Sequence, residues 1–192
     1  MLSKVKIDID IDVQKLKDSL DSISSKREWD QNQISLQHRK GVNDHNDGIG
    51  SIYYDGEIKS DLEFCEWYDD LEDEYIVQVL KRLPFNPYRV RIMNIKPKRC
   101  YSMHADKSIR FHIPVDTAED QGRFIFDDCE EYPGGEILNL SEGSCTILNT
   151  KLPHTAMNCN KKLDRIHIVG CMEEKEETEN PFMLDVYEKF GL

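Results

Sequence analysis

Beyond Pro87 the chain is a succession of short runs in which apolar residues alternate with polar ones or stand together. They cover residues 88–95, 109–115, 123–127, 136–140, 144–149 and 165–171. The intervening segments "IKPK", "DTAEDQG", "YPGG" and "NCNKKLD" carry the Pro, Gly, Asp and Asn of turns. Short strands joined by turn chemistry predict a β-sandwich or an open barrel. Upstream the pattern is mixed. Residues 12–24 suit a short helix, and "QISLQHR" alternates Ile34 and Leu36 against Gln33, Ser35 and Gln37 as a strand does. Residues 43–57 read as a long loop with a short strand inside it. Ser60 stands three residues before Glu63 as a capping box. The stripe Phe64, Tyr68, Leu71, Tyr75, Val79 and Leu83 then predicts a helix that Pro84 ends. "FMLDVYEKF" predicts a last amphipathic helix, packed outside the strands.

At 192 residues the chain suits one domain. Its expected parts are a mixed α/β segment 1–87, a core barrel 88–171 and a loop and helix 172–192. Asp and Glu number 37 against 25 Lys and Arg, a net charge of −12. That balance excludes general binding to nucleic-acid phosphates, which needs clustered cations to displace counterions. Neither a secretory apolar segment nor a run of roughly 20 apolar residues is present, so a soluble cytoplasmic protein without membrane partners is expected. The six cysteines form no C-x-x-C pair and are expected as reduced thiols, mostly in core or strand positions. The oligomeric state is left open.

The chemistry concentrates in "YSMHADKSIRFHIPV", residues 101–115. His104 and Asp106 are two apart, so on one extended strand they would share a face and could grip one ion. An H-x-D triplet alone is equally a surface pair. A third ligand could come from His154 in "NTKLPHTAMNC". Two histidines and a carboxylate form the facial triad of non-haem Fe(II) oxygenases, which leaves positions open. A structural zinc site is usually closed by a fourth ligand, often Cys, and Cys159 lies too far along its loop. Arg165 and His167 share one face of "RIHIVGC". A buried arginine needs an anion, and a dicarboxylate bound to the metal at its other end would supply one. The bland readings are an exposed strand arginine at Arg110 and a satisfied core histidine at His112.

The order H-A-D, R-F-H-I-P, N-x-x-x-P-H-T and R-I-H-I-V within residues 88–171 resembles the Fe(II)- and 2-oxoglutarate-dependent oxygenases. The resemblance is strongest to the aspartyl/asparaginyl β-hydroxylase-like branch, which also includes free-proline hydroxylases. It implies a mainly β fold, a double-stranded β-helix (jelly-roll, cupin-like) core with N- and C-terminal helices outside. It implies Fe(II) on His104, Asp106 and His154, and Arg165 on the distal carboxylate of 2-oxoglutarate. Arg110 and His112 would lie near the metal, against a cosubstrate or substrate carboxylate. His167 and Asn94 are candidate supports. Gln33, Ser35 and Gln37, with the 43–57 loop, are candidates to line the substrate pocket. The implied substrate is an amino-acid side chain, free or in a peptide or protein. The best-known animal aspartyl hydroxylases have glycine where this chain has Asp106, so the full triad resembles more the amino-acid hydroxylases and many bacterial or viral members. A reading from a different class is a cupin-like metal-binding protein without oxygenase activity.

Overall fold

The computed structural model describes residues 1–192. In chain order the elements are β1 (Lys4–Ile7), α1 (Val13–Lys26), β2 (Gln33–Ser35), β3 (Gln37–Arg39), β4 (Tyr53–Tyr54), β5 (Glu57–Ile58), β6 (Phe64–Trp67), α2 (Tyr75–Leu80), β7 (Tyr88–Ile95), β8 (Arg99–Cys100), β9 (Arg110–Asp116), β10 (Gly122–Phe126), β11 (Glu136–Leu138), β12 (Cys145–Leu148), β13 (His154–Asn158), β14 (Arg165–Cys171) and α3 (Pro181–Phe190).

The strands after Pro87 divide between two antiparallel sheets. The larger has the order β1-β12-β9-β14-β7-β2 and the smaller β11-β10-β13-β8. Setting aside β1 and β2, which extend the large sheet at its edges, each sheet has four strands. The chain crosses between the sheets as it proceeds, with β7, β9, β12 and β14 in one and β8, β10, β11 and β13 in the other. This is the jelly-roll arrangement.

Period-two alternation decides what each face of the large sheet does. Val90, Ile92, Phe111, Ile113, Val115, Ile147 and Ile168 are buried in one cluster with Leu16, Leu20 and Ile23 of α1 and Met183, Val186, Tyr187 and Phe190 of α3. The helices therefore cover the outer face. The intervening Arg91, Met93, Arg110, His112, Arg165 and Val169 line a cavity together with Phe124, His154 and Ala156 of the small sheet. Caps set the helix ends. Asp12 accepts from the backbone N–H of Lys15, Asn180 accepts from that of Phe182 ahead of Pro181 at the first turn, and Gly191, at φ +68°, closes α3 in the left-handed conformation.

The helix expected over residues 60–83 does not form as one element. The capping box at Ser60 and Glu63 is real, but it caps a single 3-10 turn, Asp61–Glu63. The chain then extends as β6 and pairs with β3, makes another 3-10 turn at Asp69–Leu71, and is α-helical only over Tyr75–Leu80. Phe64, Cys65, Trp67 and Tyr68 favour extended backbone, and strand pairing outcompetes a helical stripe that propensity alone supports weakly. Residues 13–26 and the 43–57 loop, with the β4–β5 hairpin at its end, follow the expected pattern. The large sheet also takes in residues 4–7, and the small one residues 154–158, which were not expected as strands. No helix is long and apolar enough to cross a membrane. All six cysteines are free thiols, with Cys65, Cys100, Cys145 and Cys171 on strands.

Candidate active site

His104, Asp106 and His154 come together, each presenting a ligand atom within 4.8 Å of the others. They do so differently from the one-strand reading of His104 and Asp106. Residues 104–106 lie between β8 and β9, and only His104 pairs, in an isolated bridge to His154. The backbone N–H of His104 donates to the His154 carbonyl at 3.0 Å, and that of His154 donates back at 2.7 Å. The Asp106 N–H donates to the Thr150 carbonyl at 2.8 Å, and the Thr150 hydroxyl donates to the Ser108 carbonyl at 2.7 Å. Backbone bonds thus hold the H-x-D segment against the turn that precedes His154, and His154 opens β13.

The side chains are oriented to ligate. Nδ1 of His104 lies 2.7 Å from the Ser102 carbonyl and Nδ1 of His154 lies 2.9 Å from that of Leu152. A carbonyl only accepts, so each Nδ1 carries the proton and each Nε2 keeps its lone pair. Burial, above all, lowers the pKa of His154 and favours the neutral imidazole that a metal requires. Its ring stacks on Phe124 at 5.0 Å and 13°. Asp106 Oδ2 accepts from Arg110 Nε at 2.6 Å and lies 3.8 Å from His154 Nε2. Arg110 loses to burial but gains more from Cys171, Asp106 and Asp61, so its pKa is raised and its charge is secure.

These donors fit a non-haem iron. Two imidazoles and one carboxylate suit Fe(II), the Ser102 and Leu152 carbonyls fix both ring orientations, and no fourth His, Cys, Asp or Glu joins the cluster to close it as a structural zinc site. Cys159 is exposed beyond the end of β13.

Arg165 opens β14, buried and lining the same cavity. It has no carboxylate partner. Its Nη2 lies 3.3 Å from His167 Nδ1, its Nε has no partner, and burial pushes its pKa down to about 10. A Cβ built on Gly122 would lie 2.8 Å from Arg165 Cδ, so glycine there makes room for the side chain. Gly122 is paired with Asn158, four residues along β13 from His154. Arg165 therefore enters the cavity about four residues, ~13 Å of strand, from the level of that ligand.

His112 and His167 are buried beside one another with ring centroids 5.8 Å apart. Burial, then the Arg165 charge, holds both pKa values well below 6.5. His112 lines the cavity and its Nδ1 is unpartnered. Asn94 is turned to the other side of β7, where its Nδ2 donates to Asp164 at 2.7 Å, so it is not placed to touch a ligand beside Arg165. Of the polar row, Ser35 donates to the Gln37 carbonyl. Gln37 bridges the Pro87 carbonyl and the Val90 N–H, and both residues are fully buried framework. Only Gln33 approaches the site, accepting from Arg91 Nη1 at 3.1 Å.

Arg89 and Arg91 are charged residues of the cavity that are not among the candidates named from the sequence. The signal was present in "YRVRIMNI", where charged residues occupy alternate positions of an otherwise apolar strand. Arg89 has φ +47° within β7, at a register irregularity opposite the end of β14. Its Nε donates to the Gly48 carbonyl at 3.0 Å, Nη2 to that of Gly50 at 2.6 Å, and Nη1 to Asp61 at 2.9 Å. It ties the 43–57 loop to the barrel, and Gly50 of that loop lines the cavity, whose volume is about 260 Å³.

No protein-family model and no curated protein matches the sequence. Solved structures do match its fold. AviO1 from Streptomyces viridochromogenes Tue57 superposes with a TM-score of 0.51 over 93% of both chains at 14% identity. The likeness is one of fold. A viral collagen prolyl hydroxylase from Paramecium bursaria Chlorella virus-1 gives 0.48 over 90% of this chain and 91% of its own, at 12% identity. A 2OG-Fe(II) oxygenase family protein from Burkholderia pseudomallei gives 0.39 at 14% identity. That match spans 54% of this chain and about half, 51%, of the oxygenase.

Proposed function

We propose that the protein is an Fe(II)- and 2-oxoglutarate-dependent dioxygenase that hydroxylates an amino-acid side chain, free or within a peptide or protein, and that it lies nearest the aspartyl/asparaginyl β-hydroxylase-like branch. The reading is carried by one observation. The His104–Asp106–His154 cluster shares its cavity with a buried arginine, Arg165, that has no acidic partner.

Iron with 2-oxoglutarate would supply the oxidising chemistry, coupling decarboxylation of the cosubstrate to succinate with insertion of one oxygen atom of O2 into a C–H bond. The protein's own residues do the rest. His104 and His154 offer Nε2 because backbone carbonyls hold their Nδ1 protons. Arg110 fixes the carboxylate plane of Asp106, which would be shared with the ion. Arg165 receives the distal carboxylate, its charge undiluted by any protein acid. Phe124, Ile95 and Ala156 form an apolar wall on which polar ligands are held by few, directed contacts.

The test is Fe(II)-dependent conversion of 2-oxoglutarate to succinate, followed by a search among amino acids and peptides for a product heavier by one oxygen. Loss of turnover and of metal binding is expected in His104→Ala and Asp106→Ala, and weakened 2-oxoglutarate binding in Arg165→Gln. Metal binding without succinate formation under any substrate would instead fit a cupin-like binding protein.

A further inference from the structure

The cavity contains more positive charge than the proposed reaction needs. Four arginines line it, Arg89, Arg91, Arg110 and Arg165, in a protein whose net charge is −12. Two are neutralised by the protein itself, Arg89 by Asp61 and Arg110 by Asp106. Arg165 is the one assigned to 2-oxoglutarate. Arg91 remains. It is only 5% exposed, its single hydrogen bond runs from Nη1 to the neutral amide of Gln33, and its Nε is buried without a partner. Burial, then Arg89 and Arg110, push its pKa down to about 9, and Cys171 and Asp61 offset this only in part. A buried guanidinium of this kind is costly unless an anion completes it.

The position of Arg91 separates it from the cosubstrate anchor. Arg91 pairs across the sheet with Val169, and Val169 with His112, whereas the backbone of Arg165 lies four residues, ~13 Å of strand, back along β14. The row containing Arg91 is the one next to Arg110, which holds Asp106. The unpaired anion receptor is thus at the metal-ligand end of the cavity, and the cosubstrate receptor at the other. We infer that Arg91 is a substrate-binding residue, and that the substrate is a small free carboxylic acid of the amino-acid class whose own carboxylate docks on the Nε–Nη2 edge of this guanidinium. A planar carboxylate matches that fork. A phosphate draws several cations, and the neighbouring Arg89 is already saturated by Gly48, Gly50 and Asp61. The inference rests on the function proposed above, and it narrows the substrate to one that carries a carboxylate.

The experiment is calorimetric titration of the full chain, loaded with Mn(II) and saturated with 2-oxoglutarate, using the free L-amino acids and their carboxamides. At least one acid is expected to bind, with its amide at least tenfold weaker. Arg91→Gln should weaken that acid at least tenfold and erase the acid–amide difference, while 2-oxoglutarate affinity changes less than threefold. Arg91→Lys, which keeps the charge without the fork, should fall between. Arg165→Gln should show the reverse, with 2-oxoglutarate lost. Retained 2-oxoglutarate binding shows that a variant is folded. Equal binding of acid and amide, binding of none of the acids, or loss of 2-oxoglutarate in Arg91→Gln would each overturn the assignment. If the unaltered protein fails to bind 2-oxoglutarate, the proposed function falls and this inference with it.

Discussion

Arg110 Nε donates to Asp106 Oδ2 at 2.6 Å, so the one carboxylate in the candidate metal cluster is already held by a buried cation four residues away. The bond sets the orientation of Asp106 before any ion arrives. Partners of this kind are typically worth about 10–100-fold in metal affinity. Arg110→Gln is therefore expected to weaken Fe(II) or Mn(II) binding by ~10–100-fold, measured by competition with a chromophoric chelator, with the fold retained by circular dichroism. Unchanged affinity would mean that Asp106 needs no such support.

Metal should stabilise the folded chain. At a free ion concentration of ~100 Kd the linkage is worth ~2.7 kcal/mol. For a protein of this size that amounts to a rise in Tm of about 5–10 °C. His154→Ala should lose the rise. A rise that persists in His154→Ala would place the ion elsewhere.

His112 and His167 are buried neutral, with pKa values held well below 6.5 by burial and by Arg165. In the unfolded chain they titrate near 6.5, so below that pH the unfolded state binds more protons than the folded one. Their contribution is complete above pH 6.5 and is lost as pH falls towards the depressed folded values, with a limiting slope of ~1.4 kcal/mol per pH unit for each histidine. Urea denaturation of the metal-free protein between pH 7.5 and 5 should show the decline, and His167→Gln should reduce its slope. A flat profile over that range would mean that the imidazoles are not buried uncharged.

Gly122 offers a test of the cosubstrate end that leaves the ligands alone. A Cβ there would meet Arg165 Cδ at 2.8 Å and Nε at 3.0 Å, and its φ does not demand glycine, so the effect of Gly122→Ala is displacement of the arginine. The expected outcome is several-fold weaker 2-oxoglutarate binding with Mn(II) affinity unchanged. Equal 2-oxoglutarate binding would indicate that Arg165 can hold the anion from a shifted position.

Residues acting through local rules were legible in the chain. The alternation around Ile92, Phe111, Ile113 and Ile168 marked strands with one apolar face, because side chains on a strand reverse every residue. Residues 12–24 and "FMLDVYEKF" marked helices, because the spacing of apolar positions is a property of one short segment. The ligand candidates His104, Asp106 and His154 could be selected because few residue types bind metals, and their order along the chain matched a known pattern. The failure at residues 60–83 has the same root. A capping box and a helical stripe are local signals, whereas pairing of Phe64–Trp67 with Gln37–Arg39 depends on a strand some thirty residues away.

The sequence by itself determined most strands of the core, the terminal helices and the kinds of residue available for chemistry, since periodicity, capping and side-chain donors are properties of short segments. Only the tertiary structure decided which of those residues meet. It placed His104 against His154 through a two-way backbone bridge, turned Asn94 to the other face of β7, tied Ser35 and Gln37 into buried hydrogen bonds with the backbone, and matched Arg89 to Asp61 and Arg110 to Asp106. Whether a buried charge is compensated depends on partners distant in the chain, so the two arginines left without an acid, Arg165 and Arg91, emerge only from the folded molecule.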